Sequence, residues 1–260
     1  MLCWAGKKIN KAATSVESAS SQAQGDQKSK EGGIKDAWNV IKSDRRIMQV
    51  GAIQALFEGA MYIFVIQWVP ALKRAIAASR WGAGAIIPLG KVFSCFMVCC
   101  LLGTTVFGAA QTAAVPIETT IGAMLTLATA AMVTAASAGA TSLTALLSAF
   151  LLFEACVGMY FPAIGTLRSK YVPDSHRSVI MNLFGLPLNA IVVTVFLSMK
   201  ALGIDGALAV SSGCLLMAAT SGIALARSLR PAAATQHVTD ARPKRGGKSY
   251  WPVKGAADGP

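Results

Sequence analysis

Six stretches of the chain are apolar enough and long enough to cross a bilayer, which requires about 20 predominantly apolar residues per helix. They run over residues 47–70, 86–110, 116–138, 143–167, 178–200 and 205–226. Polar and helix-breaking residues fall between them. Pro70 with Lys73 and Arg74 closes the first run, Gln111 and Pro116 part the second from the third, and Ser137 to Gly139 part the third from the fourth. Arg168, Lys170 and Pro173 follow the fourth, where Asp174 or Ser175 is placed to cap the next helix. Gly203 to Gly206 separates the last two. The pattern predicts an all-α membrane protein whose transmembrane bundle occupies residues 44–227. Flanking it, residues 1–33 and 228–260 read as disordered basic tails. Within 34–43, Ile34, Trp38 and Ile41 recur at helical spacing, predicting a short amphipathic helix at the membrane surface.

Composition agrees with this reading. Of 260 residues, 54% are hydrophobic and 14% charged, against roughly 25% charged in soluble domains. The net charge of +12 raises the question of nucleic acid. The basic residues sit at the two ends and in short connections, as they do around membrane spans, so no nucleic-acid partner is expected. An even number of spans puts both termini on one side. Arg45, Arg46, Arg168, Lys170, Arg177, Arg227 and Arg230 then share that side, while Lys73, Arg74, Arg80 and Lys200 face the other. This bias predicts a multi-pass cell-membrane protein with both ends in the cytoplasm. Five of the six cysteines lie in apolar runs without a CxxC pair, and His176 and His237 are the two histidines. That pattern offers no zinc site, and neither metal nor cofactor is expected. No HExxH, paired-aspartate or serine–base arrangement points to an enzyme.

Ionisable groups inside the hydrocarbon are costly and become functional candidates by default. Glu58 in the first run and Glu154 in the fourth have similar surroundings. Leu56-Phe57-Glu58 leads to Met61-Tyr62, and Leu152-Phe153-Glu154 leads to Met159-Tyr160. First and fourth are the leading positions of two three-helix groups, where a three-plus-three repeat would place equivalents. The first run also aligns Gln54, Glu58 and Tyr62 at i, i+4 and i+8, beside a small-residue stripe of Gly51, Ala55 and Gly59. The small stripe would pack on a neighbouring helix and the polar stripe would face a cavity. Two readings of the carboxyls stay open: protonated packing groups, or proton coupling and a salt bridge that breaks during transport. Lys91 could pair with one of them or snorkel to the interface. Asn182 and Asn189 share a helix face around Pro187, offering amide donors suited to an oxyanion or to interhelical hydrogen bonds. The third run, rich in Ala and Thr, reads as a packing helix.

Four stretches resemble the molybdate-anion transporter family of the major facilitator superfamily. Ile53 to Pro70, reading IQALFEGAMYIFVIQWVP, resembles its seventh helix, and Val92 to Met97 followed by Leu101 to Gly103 resembles its eighth. Phe153 to Pro162, with Leu167, Arg168, Lys170 and Pro173, resembles the tenth, and Asn182 to Phe184 with Pro187 the eleventh. The resemblance implies one carboxy-terminal half of a major facilitator fold, with residues 1–43 as the central cytoplasmic loop. It implies transport of an oxyanion, molybdate uptake foremost, with the missing amino-terminal half or a second copy as partner. The alternative is a non-transporting membrane interaction or regulatory protein that keeps the half-fold. One departure concerns the eleventh helix, where Leu183 and Gly185 replace the Trp and Arg of the family's Asn-Trp-Phe-Arg-x-Pro pattern.

Overall fold

The computed structural model describes residues 33–79, 87–138 and 142–228. The tails expected at 1–33 and 228–260 lie almost wholly outside them. A short helix, α1, occupies residues 33–43. It is followed by α2 (Arg45–Ala77), α3 (Leu89–Thr112), α4 (Ile117–Ala138), α5 (Leu143–Tyr171), α6 (Arg177–Leu197) and α7 (Met199–Arg227). Among the described residues, six helices are long and apolar enough to cross a membrane. The described residues up to Ala226 form one compact unit, and the second, Arg227–Pro260, is described only at its first two residues.

Local chemistry sets most boundaries. Asp44 caps α2, its carboxylate accepting from the Arg46 amide at 2.8 Å, and Ser142 caps α5 by accepting from Ala145 at 3.3 Å. Two expectations at helix ends need correction. First, α2 does not stop at Pro70 but continues to Ala77. A proline removes one helical hydrogen bond, a defect that neighbouring packing tolerates within a span. Second, neither Asp174 nor Ser175 caps α6. Residues Asp174–His176 form a 3-10 turn, His176 takes the cap position without a side-chain bond, and Asp174 instead pairs with Arg177 at 2.6 Å. The break expected at Gly203 is present: α6 ends with Ser198 as its cap, and a short helical segment from Met199 leads into the non-helical Gly203. Its φ of 62° and ψ of −169° place it where only glycine is unstrained.

In a bilayer every polar backbone group must be satisfied internally, and hydroxyls obey the same constraint. Thr126, Thr129 and Thr134 of α4 donate to the carbonyls four residues back, at 2.9, 2.7 and 2.9 Å. That leaves α4 a packing helix, as its composition predicts. On α3, by contrast, Phe96, Gly103 and Phe107 are buried while Phe93, Met97, Leu101, Leu102 and Val106 are exposed. Such an outward apolar surface suits lipid.

Helix association in lipid relies on close packing of small residues. At the crossing of α3 and α5, a Cβ added to Gly103 would collide with the Ala155 carbonyl, and one added to Gly158 with the Cys100 carbonyl. Thr104 bridges the same crossing by donating to the Gly158 carbonyl at 3.1 Å. The stripe predicted on α2 packs on α6: Gly51 lies against the Phe184 ring, and a Cβ at Gly59 would stand 3.3 Å from Ile191. Between α2, α3 and α5 the core is aromatic. Phe64 meets Phe96, Phe150 and Phe153 at centroid distances of 5.9, 5.1 and 5.0 Å. The buried Ser211 hydroxyl of α7 donates to the Ala60 carbonyl of α2 at 3.2 Å.

In α1 the buried positions are Ala37 and Ile41, whereas Ile34 and Trp38 are exposed. The predicted stripe is therefore split: Ile41 packs with Ile47, Val172, Ile180 and Phe184, while its two companions remain outside. Gly158→Ala should lower stability by about 1–3 kcal/mol through overpacking. Gly203→Ala should cost a similar amount, on the order of 1–3 kcal/mol, through backbone strain. Both are measured as lowered melting temperatures of the detergent-solubilised protein.

Candidate functional site

The polar stripe of α2 faces α5. Tyr160 is fully buried, its ring stacked on Phe57 with centroids 4.0 Å apart and an interplanar angle of 18°. This stacking aims its hydroxyl at Glu58, and it donates to Oε1 at 2.9 Å. Two turns further along α5, Arg168 donates from Nη2 to the same oxygen at 3.2 Å and from Nε to Gln54 Oε1 at 3.1 Å. The Arg168 side chain is only 28% exposed and that of Glu58 17%. Gln54, Glu58, Tyr160 and Arg168 thus form one connected network between two helices.

Part of this network is predicted from the chain and part is not. Spacing singles out Gln54 and Glu58, whereas Arg168 reads as part of a connection. The fourth span extends to Tyr171, so Arg168 belongs to the helix and its long side chain turns into the bundle. The signal that could have found it is complementarity: a carboxylate held within the bilayer calls for a cation within reach. In the sequence Tyr160 figures in the short internal similarity with Tyr62 and in the stretch that resembles the tenth helix, neither of which gives it a partner. That similarity hides different surroundings, since Tyr62 is 47% exposed.

Glu154 is also unlike Glu58. It is buried in α5, close enough to Cys99 and Cys100 of α3 to interact electrostatically with their thiols. Among the described residues no side chain hydrogen-bonds to it. Lys91 is exposed and pairs with neither carboxylate, in keeping with a side chain that reaches for the interface. Asn182 and Asn189 are exposed on the side of α6 away from α2, because the α2 contact is made by Phe184 and Ile191. The structure does not bring either amide to the Glu58 network.

Two further interhelical ion pairs lie toward the helix ends. Lys170 of α5 donates to Glu118 of α4 at 2.6 Å, joined by the Tyr171 hydroxyl at 2.7 Å. Glu118 is buried, and its other oxygen has no partner among the described residues. At the opposite end, Arg74 of α2 binds Asp205 of α7 through both guanidinium nitrogens, one at 2.7 Å. Among the described residues no group of His, Cys, Asp and Glu could hold a metal ion.

The sequence of this chain is similar to those of known proteins. A family model described as sugar transporters with 12 TM matches residues 11–143, about half of the chain. The molybdate-anion transporter of Danio rerio is 37% identical over 161 residues, covering 59% of this chain and 31% of that protein. Those of Xenopus laevis and Takifugu rubripes are 32% and 31% identical over 159 residues, covering 59% of this chain and 33% and 31% of theirs. The chain belongs to the molybdate-anion transporter family of the major facilitator superfamily. It spans about a third of the length of the curated relatives it matches. No solved structure matches it.

Within this family member, the Tyr160–Glu58 hydrogen bond ties the aromatic core to the charged network. Tyr160→Phe should keep the stacking and lose that bond. The expected cost is about 1.5–3 kcal/mol for a hydrogen bond to a charged group, read as a reduced melting temperature against the wild-type protein.

Proposed function

We propose that the chain is part of an oxyanion transporter of the cell membrane, with molybdate as its substrate, and that Arg168 is the anion anchor. The observation that carries this reading is a guanidinium drawn into the bundle between Gln54 and Glu58. A cation inside a membrane protein is expensive, and here a carboxylate and an amide offset that cost. Both the Tyr160 and Arg168 bonds fall on Glu58 Oε1, so the carboxylate sits where an anionic ligand would sit. A tetrahedral oxyanion is an acceptor throughout and needs N–H and O–H donors. Arg168, Tyr160 and the Gln54 amide supply them once Glu58 withdraws. The salt bridge then breaks as substrate arrives and reforms when it leaves. The names of the relatives support the choice of molybdate.

This role also compensates for Gly185, which stands where the family's eleventh helix carries arginine. The cation comes from α5 instead. Glu154, exposed Tyr62, and Asn182 and Asn189 on the far side of α6 are secondary candidates for coupling or substrate contact. The last two reach an oxyanion only if α6 borders the pathway shared with the missing amino-terminal half or a second copy. With the excess of basic residues on the Arg45, Arg168 and Arg227 side, both termini are cytoplasmic in this scheme.

The test is uptake of radiolabelled molybdate by the full-length transporter. Arg168→Gln removes the charged donor, worth about 1.5–3 kcal/mol, and should lower uptake roughly tenfold or more at subsaturating molybdate. Glu58→Gln should also lower uptake while the protein remains in the membrane. Unchanged uptake by Arg168→Gln would end the anchor assignment.

A further inference from the structure

Beside α1, the lower part of α6 borders a cleft of about 490 Å³, lined by Ile34, Ser178, Val179, Asn182, Leu183 and Leu186. We propose that this cleft binds one anionic phospholipid, its acyl chain along α6 and its headgroup over the lysines of α1. The chemistry of the lining changes along its length. From Ser178 to Leu186 the cleft runs eight residues along α6, about 12 Å at the helical rise. Along α6 it carries the Ser178 hydroxyl and Val179, then the Asn182 amide beside Leu183, and last Leu186. Two hydrogen-bonding groups on an otherwise apolar lining over that length match the glycerol region and upper acyl chain of a lipid.

Of α1, Ile34 lines the cleft, and the exposed side of the helix beyond it carries the complementary charge. Ile34, Trp38 and Lys42 fall at i, i+4 and i+8 and form a single line along the helix. The Lys42 ammonium sits 5.1 Å over the Trp38 ring, and Trp38 is 49% exposed. An apolar side chain, an indole and a snorkelling cation in one row is the arrangement of an interfacial helix. Exposed Lys35 lies next to Ile34, and exposed Arg45 and Arg46 begin α2. Over residues 33–46 these four basic groups outnumber Asp36 and Asp44, so the headgroup favoured is anionic. Juxtamembrane basic residues each add to such attraction. Buried Ala37 and Ile41 hold α1 against α2 and α6, which keeps its exposed side in place. The proposal is independent of the substrate of transport.

The experiment is native mass spectrometry of the whole chain released from nanodiscs of phosphatidylcholine containing a minority of phosphatidylglycerol. One retained phosphatidylglycerol per chain, in preference to phosphatidylcholine, is expected. Leu186→Trp fills the cleft at a position already 64% exposed and should lower retention about tenfold without unfolding the bundle. Lys35→Glu with Lys42→Glu should lower it by about tenfold or more, since each reversal replaces attraction by repulsion. Equal retention of the two lipids by the wild-type chain overturns the site. Loss with the lysine reversals alone, Leu186→Trp remaining like wild type, also overturns it, because it leaves only diffuse surface attraction. Retention that appears only after residues 1–32 are removed overturns it as well, and assigns the cleft to that segment of the chain.

Discussion

The contact at which α3 and α5 touch backbone to backbone positions most of the bundle. Gly103 and Gly158 leave no room for a Cβ on either side, and Thr104 spans the crossing with a hydrogen bond. Held at this distance from α3, α5 also lies against α2 and presents Phe153 and Tyr160 to Phe57. The same helix then delivers Arg168 to Glu58 and Lys170 to Glu118. In lipid, apolar side chains gain little by leaving their surroundings, so close packing and internal hydrogen bonding carry the association. Two glycines accordingly do here what a hydrophobic core does in water.

Charge inside the bundle is arranged by pairing across helices. Arg74 joins α2 to α7, Arg168 joins α5 to α2, and Lys170 joins α5 to α4. Arg74 and Asp205 are both partly exposed, and exposed pairs contribute little to stability, whereas Lys170 is partly exposed over a buried Glu118. Each of these pairs links two helices of the bundle. The middle pair is less exposed and carries two further hydrogen bonds.

How legible the site is from the chain depends on the reach of each signal. Spacing alone marks Gln54 and Glu58, because a period of four on an apolar helix puts polar groups on one face. It also marks the Gly51, Ala55 and Gly59 stripe as a packing surface, though not that α6 is its partner. Asn182 and Asn189 obey the same rule of spacing and still stand apart from the network, because periodicity says which residues share a face and not what that face meets. Arg168 is hidden by its place near a helix end, where a basic residue reads as a flank of the membrane. Its long reach back into the bundle is a property of the folded neighbourhood. Glu58 and Glu154 look alike for the opposite reason: similar local strings lie on helices with different neighbours.

Six runs of apolar residues determined by themselves that this protein is a helical membrane protein, since a bilayer accepts no other use of such segments except a closed barrel. The residues of those runs also carried the family's identity. Tertiary structure alone decided which polar groups meet, where α2 and α7 bend or continue, and which side of α1 is covered. Those outcomes rest on contacts between residues more than a hundred positions apart, such as Gln54 with Arg168. No local period encodes them, because each depends on how closely a third helix allows the two to approach.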